Sequence, residues 1–276
     1  LGLTDQHQWA VLELGPYSQR EMSVLCALAE ADIGVITNVG PTHLERFGTL
    51  TTTATIKGTL IAELPENGLA VLNADDDFVL NMRKRTNGSV ITYGLSKSSD
   101  VRATDITTYG LNGLSLTMHY RGSTSKVHTQ LIGAHHAKTI LAATAAVIAV
   151  NKFYDNPIDL HEMANILSSL KIGSRLKPIK TDNGVLILDD TYNSAPLSVK
   201  AALDLLADLP GRRTAVLGDM LELGEEELSG HQAVGTYTIG RCDQLIAVGH
   251  RAKTIADTAW DAGHQQVQWF EEQQAA

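Results

Sequence analysis

The stretch Ile33-Gly34-Val35-Ile36-Thr37-Asn38-Val39-Gly40-Pro41-Thr42-His43 reads as a short buried strand that runs into a polar loop bearing glycine and proline. Its β-branched run is too short for a helix and is closed by turn residues. A helical stretch from Thr52 to Leu64 follows. Strands then read at Leu69-Ala70-Val71-Leu72 and Val90-Ile91-Thr92-Tyr93, with a helix between them. Upstream, Trp9 to Leu14, centred on Ala10-Val11-Leu12, reads as another buried strand, and Met22, Leu25 and Leu28 recur at helical spacing. Strands alternating with helices imply βαβ units and a mainly parallel sheet.

The pattern changes near Val101. From there to Gln130, β-branched runs are broken by Gly110, Asn112-Gly113 and Arg121-Gly122, which read as hairpins and predict a small antiparallel annex. An alanine-rich helix is expected from His136 to Val150 and another over Leu160 to Leu170. Gly173 to Pro178 reads as a hinge. Alternation then restarts with strands at Val185-Leu188, Thr214-Leu217 and Leu245-Val248 and helices at Leu197-Leu206 and Ser229-Gly240, a second α/β domain.

Bulk properties narrow the function. A chain of 276 residues holds one large domain or two modest ones. The formal net charge of -9 argues against a nucleic-acid surface, which needs clustered cations. No apolar run approaches the ~18 residues of a membrane span, so no membrane partner is expected. Cys26 and Cys242 lie far apart, form no metal-binding pair and fit a reducing cytoplasm. The sequence opens at Leu1 and almost at once enters the expected strand, which reads as the start of a fragment.

Several polar residues fall at strand ends, where open α/β sheets bind ligands. Glu13 would follow the first strand; it is either such a ligand group or a solvated loop acid. His43 would lie at the same edge. A Glu and a His together suit a divalent cation, although Mg2+ prefers oxygen. Lys57 by itself reads as a solvated helical charge. Asp75-Asp76-Asp77 is read as a helix cap rather than a cation site. Gly122-Ser123-Thr124-Ser125-Lys126 lacks the spacing of a phosphate-binding P-loop, and no true P-loop occurs. Asp189-Asp190-Thr191-Tyr192-Asn193-Ser194-Ala195-Pro196 joins a strand to a helix and can order a turn or bind sugar hydroxyls. Leu217-Gly218-Asp219-Met220-Leu221-Glu222-Leu223-Gly224 is a second such junction.

Taken in order, these segments resemble the Mur ligase family. The resemblance runs through Glu13-Leu14-Gly15, Thr37 to Glu45, Lys57-Gly58, Leu72 to Asp76, Gly133/His135, Gly173-Ser174-Arg175-Leu176, Asp190 to Pro196 and Leu217 to Gly224. The last two are closest to the branch that adds D-alanyl-D-alanine. The resemblance implies a central ATP-binding domain over residues 1–177, with its P-loop upstream, and a Rossmann-like C-terminal domain over 178–276, both incomplete. It implies an ATP- and Mg2+-dependent ligase of peptidoglycan precursor synthesis. That enzyme would join the dipeptide to a UDP-N-acetylmuramoyl-peptide carboxylate through an acyl phosphate, as a cytoplasmic monomer. It reverses the reading of Lys57, whose family counterpart is carbamylated and, with Glu13 and His43, holds Mg2+. His135, His136, Arg175, Asp190, Tyr192 and Asn193 match nucleotide-contacting positions.

The sequence also departs from the family. His136 and Thr139 replace two Asn residues, and Arg20 replaces a Gly. Two alternatives remain open at this point: another acid–amine ligase of the superfamily, such as a tripeptide-forming or folylpolyglutamate-type enzyme, and a non-catalytic nucleotide-binding paralogue.

Overall fold

The computed structural model describes residues 2–41, 44–153, 157–170, 176–272 and 274. The first unit opens with helix α1 (Gln19–Ala29), then strand β1 (Ile33–Ile36) and the short helix α2 (Leu44–Phe47). Helices α3 (Leu50–Lys57) and α4 (Thr59–Ala62) follow, then β2 (Leu69–Asn73), α5 (Asp77–Asn81) and β3 (Ser89–Gly94). Strands β4 (Val101–Thr108), β5 (Leu114–Tyr120) and β6 (Ser123–Thr129) precede α6 (His136–Val150) and α7 (Leu160–Ser169).

Six strands form one sheet in the order β1-β2-β3-β4-β5-β6. The first four pair in parallel, and β4 to β6 are antiparallel. The antiparallel annex is thus a continuation of the main sheet, joined where Tyr93 and Gly94 pair with Val101 and Arg102. Strand β2 is buried along its whole length, as its uninterrupted Leu69-Ala70-Val71-Leu72 requires of a strand covered on both faces. The alanine-rich face of α6 packs on the sheet through Ala137, Ile140, Leu141 and Ala145, where small side chains let helix and sheet approach closely. The expected helix over Thr52 to Leu64 is two helices broken at Gly58, where a Cβ would stand 2.9 Å from both the Ala54 carbonyl and the Arg85 guanidinium.

The largest correction concerns Trp9 to Leu14. This segment has no regular structure, and Val11 is fully exposed while Leu12 is 38% exposed. An apolar run becomes a buried parallel strand only with neighbours to cover it. Here β1 is the outermost strand on that side of the sheet. Glu13 therefore lies on an exposed irregular stretch and does not end a strand.

The second unit contains β7 (Lys177–Lys180), β8 (Leu186–Asp189), α8 (Pro196–Ala207), β9 (Thr214–Gly218), α9 (Glu227–Tyr237), β10 (Gln244–Val248), α10 (Lys253–Asp261) and β11 (Val267–Phe270). Strands β9, β10 and β11 form a parallel sheet in the order β11-β10-β9. Strand β8 pairs antiparallel with β7 instead of joining that sheet. Ile187 within it and Val185 just before it are exposed, so β8 lacks the two-sided cover of a central parallel strand. Of the expected hinge, residues 173–175 lie outside the described residues, and Lys177 and Pro178 belong to β7. A small apolar seam joins the units: Ile132, Leu176 and Leu205 are buried together with Leu111, Leu188 and Ala202 around them. Thr108 Oγ1 donates across the same boundary to Asp208 at 3.0 Å. No helix among the described residues is long and apolar enough to cross a membrane.

Candidate functional site

Parallel strands β1, β2 and β3 place their carboxyl ends at one edge, and the polar residues that follow them meet there. Asn73, at the end of β2, is 4% exposed. Its amide donates to the Thr37 carbonyl at 2.8 Å, and its side-chain oxygen accepts from Asp75 N–H at 2.9 Å. One buried amide thus satisfies two loops at once. Asp76 is the N-cap of α5, accepting from Val79 N–H, so the capping expectation holds for this residue. Its second oxygen accepts from Val39 N–H at 2.8 Å, which ties the loop after β1 to the loop after β2.

Asp75 has a different role from capping. It accepts from the backbone of Leu95 and Ser96 after β3 and pairs with Lys138 of α6 at 3.3 Å. Although burial opposes it, these hydrogen bonds and the Lys138 charge hold its carboxyl below the usual range. The Asp75–Lys138 pair was not legible in the sequence, since its members lie far apart along the chain and no spacing rule links them.

Lys57 is the last residue of α3, an ordinary place for a cation. Its surroundings are less ordinary. The side chain is half-buried, Nζ donates to the Asn38 carbonyl at 2.9 Å, and burial pulls the ammonium pKa down despite the favourable Asp76 charge. A lysine with a lowered pKa holds more neutral amine at working pH, the form that adds CO2. The carbamate so formed keeps one N–H for Asn38. The donor chemistry therefore fits an oxygen ligand for a divalent cation. His43 lies outside the described residues, and Glu13 is exposed on its irregular stretch.

At the start of α6, the rings of His135 and His136 lie against each other at a tilt of 39° with centroids 4.2 Å apart. His136 Nδ1 is buried and has no hydrogen-bond partner among the described residues. A buried imidazole nitrogen without a partner fits a base or ribose contact better than a packed core. Burial, with His135 beside it, pushes the His136 pKa from 6.5 to about 4. Between those values the unfolded chain carries a proton that the folded chain does not. Stability is therefore expected to fall as pH drops from 6.5 towards 4, by up to about 1.4 kcal/mol per unit, with the loss complete below 4. Replacement His136→Asn should flatten the unfolding midpoint across that window. A midpoint that still falls as steeply would place the acid sensitivity elsewhere.

Burial lowers the His135 pKa, and the charge of Asp190, from the second unit, partly offsets that effect. Neighbouring Asp189 accepts from both N–H and Oγ1 of Thr191, ordering the turn. Tyr192 is 81% exposed, and Asn193 accepts from Ser194 N–H. Arg175 lies outside the described residues. In the later junction, Asp219 accepts from Ala252 N–H at 2.7 Å at the start of α10, and Met220 N–H donates to the buried His231. A cleft of about 640 Å3, lined by Ser89, Arg121, Lys152 and Met163 among others, opens at the opposite end of β3 and contains none of the expected site residues.

Residues 2–147 match the Mur ligase middle domain, and residues 174–276 match the Mur ligase glutamate ligase domain. The chain belongs to the Mur ligase family. It is 33% identical over 269 residues to the UDP-N-acetylmuramoyl-tripeptide–D-alanyl-D-alanine ligase of Escherichia coli, covering 96% of this chain and 58% of that enzyme. The corresponding ligase of Bacillus subtilis is 32% identical over 263 residues, 94% of this chain and 55% of that enzyme. The crystal structure of MurF from Acinetobacter baumannii superposes with a TM-score of 0.86 at 26% identity, covering 99% of this chain and 57% of that one. This Mur ligase chain thus spans somewhat over half the length of the curated relatives it matches.

Proposed function

We propose that this chain is the central and C-terminal part of an ATP- and Mg2+-dependent ligase that joins D-alanyl-D-alanine to the peptide carboxylate of a UDP-N-acetylmuramoyl tripeptide. The observation that most supports this reading is identity to ligases of that name along nearly the whole chain, through both units. Domains over 1–177 and 178–276 are part of the proposal, as are a cytoplasmic location and a monomeric state.

In the proposed reaction the substrate carboxylate attacks the γ-phosphate of ATP, giving an acyl phosphate and ADP. The dipeptide amine then attacks the acyl carbon, loses a proton and expels phosphate. Glu13, His43 and carbamylated Lys57 are the proposed holders of Mg2+. When bound, Mg2+ would neutralise charge on the phosphoryl oxygens, the main electrostatic demand of phosphoryl transfer. His135, His136, Arg175, Asp190, Tyr192 and Asn193 are the proposed nucleotide contacts. Neutral His136 offers one donor and one acceptor where the family has an amide, so it can replace part of that amide's bonding. The Asp190 charge reaches His135 although it belongs to the other unit, which supports a nucleotide site assembled between the two.

The test is phosphate release by the intact protein with ATP and UDP-N-acetylmuramoyl tripeptide, with and without D-alanyl-D-alanine. Release that requires the dipeptide is the expected result. Release with a different amine instead would reassign the substrate within the superfamily, and no release with any acceptor pair would favour the non-catalytic paralogue.

A further inference from the structure

Arg46 lies on α2, which directly follows His43 in the chain. Its guanidinium sits 4.3 Å from the centroid of the Tyr17 ring, and its terminal nitrogen is 3.8 Å from the Glu222 carboxylate. Three elements meet at this side chain: the stretch between Glu13 and α1, the helix after His43, and the Gly218–Gly224 segment of the second unit. Tyr17 is itself held, because its N–H donates to Glu21 at 2.7 Å while Ser18 caps α1. The backbones touch as well, with Glu45 N–H directed at the Glu222 carbonyl at 3.5 Å.

The approach depends on unusual backbone. Glu222 has φ 62, an uncommon conformation for a residue with a side chain. Gly224 has φ 56, and a Cβ there would stand 3.0 Å from Glu45 N and from the Leu44 carbonyl carbon. Glycine is what lets the second unit come this near. An exposed ion pair adds little to stability, so the value of Arg46–Glu222 lies in registration more than in holding the fold.

We propose that Tyr17, Arg46 and Glu222, with the close approach at Gly224, form a latch that registers the second unit against the two loops carrying Glu13 and His43. Arg46 and Glu222 are then positioning residues: when the second unit docks, Arg46 is fixed, and the loop that carries Tyr17 is fixed with it. The catalytic consequence rests on the ligase reading, whereas the latch itself stands on the contacts alone.

The experiment uses the intact protein with nitroxide labels on Lys97→Cys and Asp261→Cys, both exposed and one in each unit, while Cys26 and Cys242 are buried. Arg46→Glu sets two carboxylates face to face, and the pair Arg46→Glu with Glu222→Arg restores attraction with the charges exchanged. The inter-label distance distribution is expected to broaden in Arg46→Glu and in Gly224→Ala, and to narrow again in the exchanged pair. In parallel, Arg46→Glu should lower kcat about 10- to 100-fold with KM for ATP changed by less than about threefold, and the exchanged pair should recover much of the loss. Unchanged distributions in both Arg46→Glu and Gly224→Ala overturn the latch. So does an exchanged pair as broad as Arg46→Glu. If the intact protein shows no ligase turnover, the ligase reading fails, and the distance distributions still decide the latch.

Discussion

Lys57→Ala in the intact protein is expected to abolish measurable turnover, a loss of at least about 100-fold, with partial recovery on adding a short carboxylate such as formate or acetate. The reasoning begins with the environment of the amine. A solvated lysine would keep its proton, and its loss would do little. Lys57 is half-buried, bonded through Nζ to the Asn38 carbonyl, and burial lowers its pKa. An ammonium would repel a divalent cation, whereas the neutral amine adds CO2, releases a proton and becomes an oxygen ligand. Alanine removes that ligand and leaves space in which an exogenous carboxylate can stand in for the carbamate. Lys57→Arg is a control that keeps the positive charge but forms no stable carbamate, and it should be equally inactive. Turnover in Lys57→Ala that matches the unsubstituted protein would take this residue out of the mechanism.

Gly113→Ala should produce the largest loss of stability, on the order of 3–5 kcal/mol. Gly113 closes the turn between β4 and β5 with φ 95 and ψ −153, a region open in practice only to glycine. A Cβ at this position would stand 1.8 Å from the Thr129 carbonyl oxygen, which belongs to β6. Strain and collision therefore add, and the collision is with backbone that cannot rotate away. Gly122, in the turn between β5 and β6, provides the comparison. It has φ 84 but no atom within 4 Å of its Cβ position, so Gly122→Ala should cost only about 1 kcal/mol. Because the chain has two units, a single melting curve mixes their transitions. Amide hydrogen exchange in β5 and β6 is the direct measurement. Equal loss of protection in the two variants would mean that the Thr129 contact is not what limits this position.

Much of the architecture could be read along the chain. Leu69-Ala70-Val71-Leu72 declares a strand covered on both faces, Asn112-Gly113 and Arg121-Gly122 declare hairpins, and the alanine-rich run from His136 to Val150 is the helix found. These features are local, so local chemistry suffices. Trp9 to Leu14 was misread because its composition suits a strand while strand formation depends on a neighbour that composition cannot supply. Strand β8 is legible as a strand, but its pairing with β7 is a tertiary choice that the local pattern does not carry. Lys57, His135, His136 and Asp190 are expected at the candidate site only through resemblance to a family. Their physical setting, including the Asn38 carbonyl, the double-duty Asp76 and the Asp75–Lys138 pair, joins residues from separate strands and leaves no sequence spacing to follow.

The order β1-β2-β3-β4-β5-β6 leaves the sheet with two unlike borders. On one side, α7 lies along β6, and His128 N–H reaches the Ser168 hydroxyl. On the other, β1 offers only Ile33-Gly34-Val35-Ile36, without a lysine, proline or bulge to discourage a second strand. A border of that kind is a template for pairing with other chains. A charged substitution beside that border should therefore raise the solubility of this polypeptide without touching the chemistry at the strand ends.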